Sequence, residues 1–425
     1  MKIPEYFTKK NFVPKIEEKS LENLNICVVL PSYNEPNLGN SLETLEKCTL
    51  PIGSVEVIVV VNHPEGSPPN IISQSEESVK IVEDFNLRHK NDSKLRFYFV
   101  RAFNLPKKNA GVGLARQIGM DEAAYRLFSA NNPDGIITCF DADATCESNY
   151  LVELENLWKN QPRTTACSIR YAHPYNGNNF SEKIYKGIAA YELHLRYYNQ
   201  ASRFIGFPFS YHTIGSSMAC SAITYIKFGG MNRHQAGEDF YFLQKIIPHG
   251  NFQELNSTSI YPSPRPSTRV PFGTGRAMLK YLENTEDGIC TYNLDSFTDL
   301  IPFFDLVDQL WSMNDSQVAE RLEILPIAIR QFLISNNATK EISRVKQNTS
   351  NQKSFRKRFF LWFDAFALLK YLNYANENHY KRQLVENETI KLGKLLHLSI
   401  NNNPTTFELL DIYREKDLEL WIPKF

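Results

Sequence analysis

The chain has 425 residues, 42% hydrophobic and 22% charged, which is long for one domain and ample for a large core. Lysine plus arginine and aspartate plus glutamate both total 47, so the formal net charge is zero. That balance lacks the electrostatic footprint of a nucleic-acid binder, and no nucleic-acid partner is expected.

Residues 1–24 read as a lead-in arm, charged and without an apolar signal region. An alternation then begins. Ile26 to Leu30 is an apolar strand, Pro31 to Pro36 a loop, and Leu38 to Lys47 a helix. Val55 to Val61 is a β-branched run, the best strand signal in the chain. The Pro/Gly-rich loop from Asn62 to Asn70 leads to a helix ending near Arg88, and Leu95 to Val100 is a third strand. Ala110 to Ala130 is helical, and Gly135 to Phe140 is a fourth strand. Ser148 is the expected N-cap of a helix through Trp158, followed by a fifth strand from Thr165 to Arg170. Strands separated by helices imply right-handed crossovers and a mainly parallel sheet covered on both faces, an α/β fold.

Ser181 to Arg203 reads as a long amphipathic helix, with Ile184, Ile188, Tyr191, Leu195 and Tyr198 at steps of four and three. Thr224 to Phe228 is a helix stopped by Gly229-Gly230, and Asp239 to Ile247 another. Tyr261 to Arg276 carries four prolines and three arginines around Gly273-Thr274-Gly275, a basic loop. From Asp295 onward the periodicity is helical, with Pro326 bending one helix and a polar connection over 335–353. The sequence contains no internal repeat and no window near 18 uninterrupted apolar residues. Its seven cysteines form no CxxC pair, and Cys27, Cys139 and Cys167 sit in apolar runs that suit buried thiols in a reducing, cytoplasmic setting.

The chemistry starts at Asp141 and Asp143. Both end the fourth strand, one residue apart, so they can lean the same way. Two such carboxylates make half a site for a hard divalent cation, or they solvate a turn; the pair alone leaves both readings open. In parallel sheets ligands bind beyond the carboxyl ends of the strands, where the loops at 31–36 and 62–70 also emerge.

Taken in order, several segments resemble family 2 glycosyltransferases. Pro31-Ser32-Tyr33-Asn34-Glu35 resembles the P-x-Y-N-E opening, and Asn109 to Arg116 the N-x-G-x-x-x-A-R segment. Asp141-Ala142-Asp143 falls where the family's DxD motif falls. Gly215 to Cys220, Phe228 to Met231 and Gly237-Glu238-Asp239 resemble the G-S-x-M, G-G-M and G-E-D run of the acceptor half.

The resemblance implies the GT-A fold, a Rossmann-like mainly parallel sheet flanked by helices, over residues 25–290. Its nucleotide-binding half would be 25–145 and its acceptor half 146–290, with an α-helical C-terminal domain over 291–425. It further implies transfer of one sugar from a UDP- or GDP-sugar to a sugar, lipid-linked or small-molecule acceptor. Mg²⁺ or Mn²⁺ on Asp143, with Asp141 assisting the metal or contacting the ribose, would stabilise the charge gathering on the leaving diphosphate. Asp239, at a helix start, would be the base that inverts the anomeric centre, with Glu238 orienting it or the acceptor. Ordinary first-turn acids are the plain alternative for that pair.

Pro31, Tyr33 and Glu35 would line the base and ribose pocket, and Arg116 would reach the base or diphosphate unless it is a surface helix charge. The family often carries Asp-Asp-Gly-Ser after the second strand, whereas this chain has Asn62-His63-Pro64-Glu65-Gly66-Ser67. Asn62 can replace one hydrogen bond there but not the charge. The Q-x-x-R-W motif of processive synthases is absent. Arg265, Arg269 and Arg276 suit a loop that folds over a diphosphate, and retaining relatives carry similar loops. Two other readings stay open: a retaining enzyme making a small glycosyl conjugate, and a non-catalytic sugar-nucleotide-binding protein.

The nine histidines form no HxxxH pair, and His212 and His249 read as structural residues rather than ligands. Arg356-Lys357-Arg358 beside Phe359, Phe360, Trp362, Phe363 and Phe366 is either a helical core face or a peripheral membrane contact.

Overall fold

Apolar runs buried on both faces make the centre of the sheet, and shorter, more polar strands complete it. The computed structural model describes residues 4–232, 237–269, 273–283 and 288–423. Its elements up to the end of the sheet run α1 (Glu5–Lys9), β1 (Leu24–Ser32), α2 (Leu38–Glu46), β2 (Ser54–Pro64), α3 (Pro69–Arg88) and β3 (Leu95–Leu105). They continue with α4 (Val112–Ser129), β4 (Ile136–Cys139), β5 (Thr145–Cys146), α5 (Tyr150–Asn160), β6 (Ala166–Tyr171) and α6 (Glu182–Phe204). β7 (Met218–Ser221), α7 (Ala222–Lys227), α8 (Glu238–Ile246) and β8 (Phe252–Tyr261) close the series.

The strand order is β3-β2-β1-β4-β7-β6-β8-β5. β1 pairs in parallel with β2 and β4, β2 with β3, and β6 with β8. β7 runs antiparallel between β4 and β6, and β5 runs antiparallel to β8. This is the mainly parallel, helix-flanked sheet that the alternation predicts, of the GT-A type that the resemblance implies. Sequence reasoning finds five of the eight strands. β5 is two residues long, β7 four, and β8 carries Asn256, Ser257 and Thr258 in its middle, which hide it in the sequence.

Internal contacts divide the chain into two compact units, 1–177 with 213–279 and 178–212 with 280–425. The first holds the sheet. Its core joins Val28 and Leu30 of β1, Val57 and Val59 of β2, Leu42 of α2 and Phe140 after β4. Helix α4 covers the other face of the sheet very closely. A Cβ at Gly119 would stand 2.5 Å from Val29 Cγ1 and 2.9 Å from Val60 Cγ2, both in strand interiors. Gly119→Ala is therefore expected to destabilise this unit by about 1–3 kcal/mol through overpacking, read as a lower unfolding midpoint. An unchanged midpoint would mean that α4 can move away from the sheet at no cost.

The arm at 4–23 is docked rather than free. Tyr6 Oη donates to Asp121 Oδ1 at 2.6 Å, and the Leu21 amide donates to Glu56 Oε1 at 2.8 Å. Glu56 in turn forms a buried pair with Arg126 of α4. Such a pair is costly to break from one side, since the remaining charge is stranded.

Three local expectations are corrected. The helix after β4 begins at Tyr150 with Asn149 at its N-cap, so Ser148 lies outside it and caps nothing. Pro326 does not bend a helix; it separates Asp315–Glu323 from Ile327–Ser335, because proline cannot donate within a helix interior. The polar stretch 335–353 contains the helix Ala338–Gln347, whose Ala338 and Ile342 are buried; two apolar positions four apart are enough to anchor it.

The second unit groups α6 with the C-terminal helices. Phe303 and Phe304 meet Phe359, Phe360 and Phe363 at ring separations of 5.4 to 5.5 Å. Phe359, Phe360 and Phe363 of the aromatic face after Arg356-Lys357-Arg358 thus pack inward and are buried, while Trp362 and Phe366 are half-buried. Glu192 of α6, fully buried, accepts from Arg196 and from Arg414, and Arg196 also pairs with Asp417. His212 Nε2 lies 3.0 Å from Asp417 Oδ2, and His249 packs on Phe228, so both histidines have structural partners. No helix among the described residues is long and apolar enough to cross a membrane. All seven cysteines are free, with Cys48 Sγ 3.7 Å from Cys146 Sγ and Cys290 exposed.

Candidate active site

β1 has β2 on one side and β4 on the other, so the sheet's connections diverge between β1 and β4. Such a switch point leaves a crevice at the carboxyl ends of the two strands. Into it come the loop after β1, with Pro31 to Glu35, and the turn after β4, with Asp141 and Asp143. Asn34 takes a left-handed backbone, φ 48°, within that first loop.

Glu35 is buried and all of its side-chain hydrogen bonds are made within the loops. It accepts from the Asn37 amide at 3.0 Å, from Arg265 Nη1 at 3.1 Å and from Arg269 Nη1 at 2.9 Å. The same two guanidinium groups reach Asp143 Oδ2, at 3.2 Å from Arg265 and 3.7 Å from Arg269. Arg269 also donates to the Tyr33 carbonyl at 2.9 Å. The basic loop after β8 is therefore pinned across the carboxylates of β1 and β4; residues 270–272 of it lie outside the described residues, and Arg276 lies just beyond them. Glu35 was expected to line the base pocket, and here it anchors two arginines.

On the other side of the turn, Arg116 of α4 donates from Nη2 to Asp141 Oδ1 at 2.6 Å and from Nη1 to Glu238 Oε1. Glu238 and Asp239 are the first two residues of α8, where the helix start favours negative charge. Asp239 Oδ1 accepts from the Phe240 amide at 2.7 Å. Burial and the neighbouring Glu238 charge nevertheless push its carboxyl up to about 7, against the pull of Arg116. Asp143 is likewise pushed up to about 7, by burial and by the charges of Asp141 and Glu35, with Arg265 opposing.

Farther along the crevice, Ser32 ends β1 beside Val61 of β2, and Asn62 follows. Ser32 Oγ and Asn62 Oδ1 are buried without a hydrogen-bond partner among the described residues. Both atoms are available to hydrogen-bond a group bound at the strand ends. Sequence reasoning flags Asn62 but not Ser32, a residue type too common for its place in a motif to stand out.

The structure thus joins Tyr33, Glu35, Asp143, Arg265 and Arg269 in one set of contacts and Arg116, Asp141 and Glu238 in another, with Asp239 next to Glu238; Pro31 and Asn62 stand at the carboxyl ends of β1 and β2. Among the described residues no three His, Cys, Asp or Glu side chains are gathered to hold a metal by themselves. Asp141 and Asp143 offer hard oxygen donors one residue apart at the end of β4. That donor set fits a divalent ion that takes the rest of its shell from water and phosphate.

Residues 27–219 match the sequence model of glycosyl transferase family 2. The match runs from within β1 to the middle of β7 and ends before Glu238, Asp239 and the arginine loop. No curated protein sequence matches the chain. Among solved structures, the chain is similar to Staphylococcus aureus TarS residues 1–349 in complex with UDP-GlcNAc. That likeness is at 13% identity and a TM-score of 0.40, over 78% of this chain and 90% of that one. The same fragment with UDP aligns at 13% identity and a TM-score of 0.38, over 89% and 95% of the two chains. A longer TarS structure gives 14% identity and a TM-score of 0.39, over 74% and 53%. Superpositions this loose carry no residue assignments.

Proposed function

We propose that this protein is a family 2 glycosyltransferase that moves one sugar from a nucleoside diphosphate donor, UDP- or GDP-linked, to an acceptor hydroxyl. The observation that carries the reading is the meeting, at one switch point, of the Asp141–Asp143 pair with the acidic start of α8. The family match over residues 27–219, which includes Asp141 and Asp143, supports the same reading.

In this reading Ser32 and Asn62 satisfy their orphaned atoms on the nucleobase, and Pro31 and Tyr33 wall the base and ribose. Asn62 Oδ1 accepts from a base N–H, which uracil and guanine both present. Asp141 and Asp143 would hold Mg²⁺ or Mn²⁺, which when bound neutralises charge on the diphosphate. Arg265 and Arg269 supply N–H donors to the same phosphates, with Glu35 fixing their direction. Asp239 takes the proton of the attacking hydroxyl. A base with its pKa close to the working pH is the effective one, and burial beside Glu238 gives Asp239 that affinity. One in-line displacement then inverts the anomeric carbon.

Calorimetric titration with UDP and with GDP, each with and without Mn²⁺, tests the reading. Tight binding of one nucleotide, strengthened by the ion, is expected and selects the sugar donors for a transfer assay. Absence of binding to either would overturn the donor site and favour a protein that keeps the fold without this chemistry.

A further inference from the structure

We infer that Arg116 is a positioning residue that ties the donor end of the crevice to the base end, acting through Asp141 and Glu238 rather than on the nucleotide. The inference rests on the proposed transferase reading and departs from the sequence expectation that Arg116 reaches the base or diphosphate.

The geometry is specific. The guanidinium is buried, with one terminal nitrogen on Asp141 Oδ1 at 2.6 Å and the other on Glu238 Oε1. A planar fork with a permanent charge can serve two carboxylates at once; a lysine ammonium on a flexible stem cannot hold both directions. Each terminal nitrogen places an N–H on a protein carboxylate, which fixes the plane of the guanidinium between Asp141 and Glu238; the Nε–H has no partner among the described residues.

Gly215 supplies a second, independent observation. A Cβ there would stand 2.7 Å from Arg116 Nη1, 2.9 Å from Nη2 and 3.0 Å from Cζ. Its backbone is not left-handed, so the glycine is required for space and not for conformation. The glycine of Gly215-Ser216-Ser217-Met218 is the floor under the guanidinium. Two motifs a hundred residues apart in sequence are thus one contact in the structure.

Electrostatics sets the consequence. Among the described residues, the groups that face Asp239 are Glu238 beside it, Arg116 from α4, and Asp141 and Cys139 from the end of β4. Arg116 is the one cation in that set. Without it three carboxylates face one another in a partly buried site, and protonation of Asp239 becomes the cheapest relief.

The test is transfer kinetics against pH, alongside nucleotide calorimetry, for Arg116→Met, Arg116→Lys and Gly215→Ala. The expected result is a kcat at pH 7 lower by about 100-fold in Arg116→Met, the order that a small misplacement of a catalytic group costs. The acid limb of its profile should move alkaline by about one unit, while nucleotide Kd changes by less than about threefold. Gly215→Ala keeps the charge but crowds it, so a smaller kcat loss at unchanged Kd is expected. Arg116→Lys should restore the pH limb but not the full rate. If Arg116→Met does not fold, Arg116→Lys and Gly215→Ala carry the test. Nucleotide Kd weakened about tenfold or more with an unmoved pH limb would overturn the inference and make Arg116 a donor contact. An inactive wild type that binds no nucleotide would overturn the transferase reading itself, and this inference with it.

Discussion

Asp239→Asn is expected to lower kcat for sugar transfer by about 10²- to 10⁴-fold, the range for removing a general base. Nucleotide binding should stay within about threefold, because Asp239 sits at the start of α8 and not among the residues of β1 and β4. In the wild type the rate should climb as pH rises through about 7, where Asp239 loses its proton, and that limb should vanish in the variant.

The same substitution has a stability signature of definite sign. An ordinary aspartate titrates near 3.8, and this one near 7 in the folded chain. Between those values the folded protein holds more protons than the unfolded one, so stability from this group falls as pH rises. Asparagine removes that penalty, and the variant should unfold at a higher temperature than the wild type at pH 8. Full activity in Asp239→Asn would remove the base assignment. A product with retained anomeric configuration would also do so, and would favour the retaining reading.

The second large effect belongs to Asp143→Ala. Loss of this carboxylate should abolish the Mn²⁺-dependent part of nucleotide binding, a change of about 100-fold or more in Kd, given the several kcal/mol such an ion supplies. Binding without the ion should change far less, since Arg265 and Arg269 keep Glu35 as their anchor. Calorimetry with and without Mn²⁺ separates the two contributions. Equal metal dependence in wild type and variant would show that Asp143 is not a metal ligand.

The sheet was legible where its strands are apolar and flanked by turn residues. β2 is buried along almost its whole length, so Val55 to Val61 read as a strand without ambiguity. β8 was invisible because its Gln253, Glu254, Asn256, Ser257 and Thr258 break any period-2 pattern; it is a strand because β6 offers it a partner. Side-chain direction was the other blind spot. Glu35 and Arg116 were both identified from motifs, yet a motif fixes a residue's place and not its partner. That Glu35 meets Arg265 and Arg269, some 230 residues later, follows only from the folded sheet.

The division of the chain into two interleaved units bears on how it is made. Helix α6 leaves the ribosome well before the segment that completes its surroundings. Arg414, which pairs with its buried Glu192, is synthesised 222 residues later. Domains fold largely as units during synthesis, so α6 must wait with Leu193 and Tyr197 exposed while the sheet forms around β7 and β8. A fragment ended after residue 279 would carry that waiting helix permanently. Such a fragment is a poor choice for isolating the sheet.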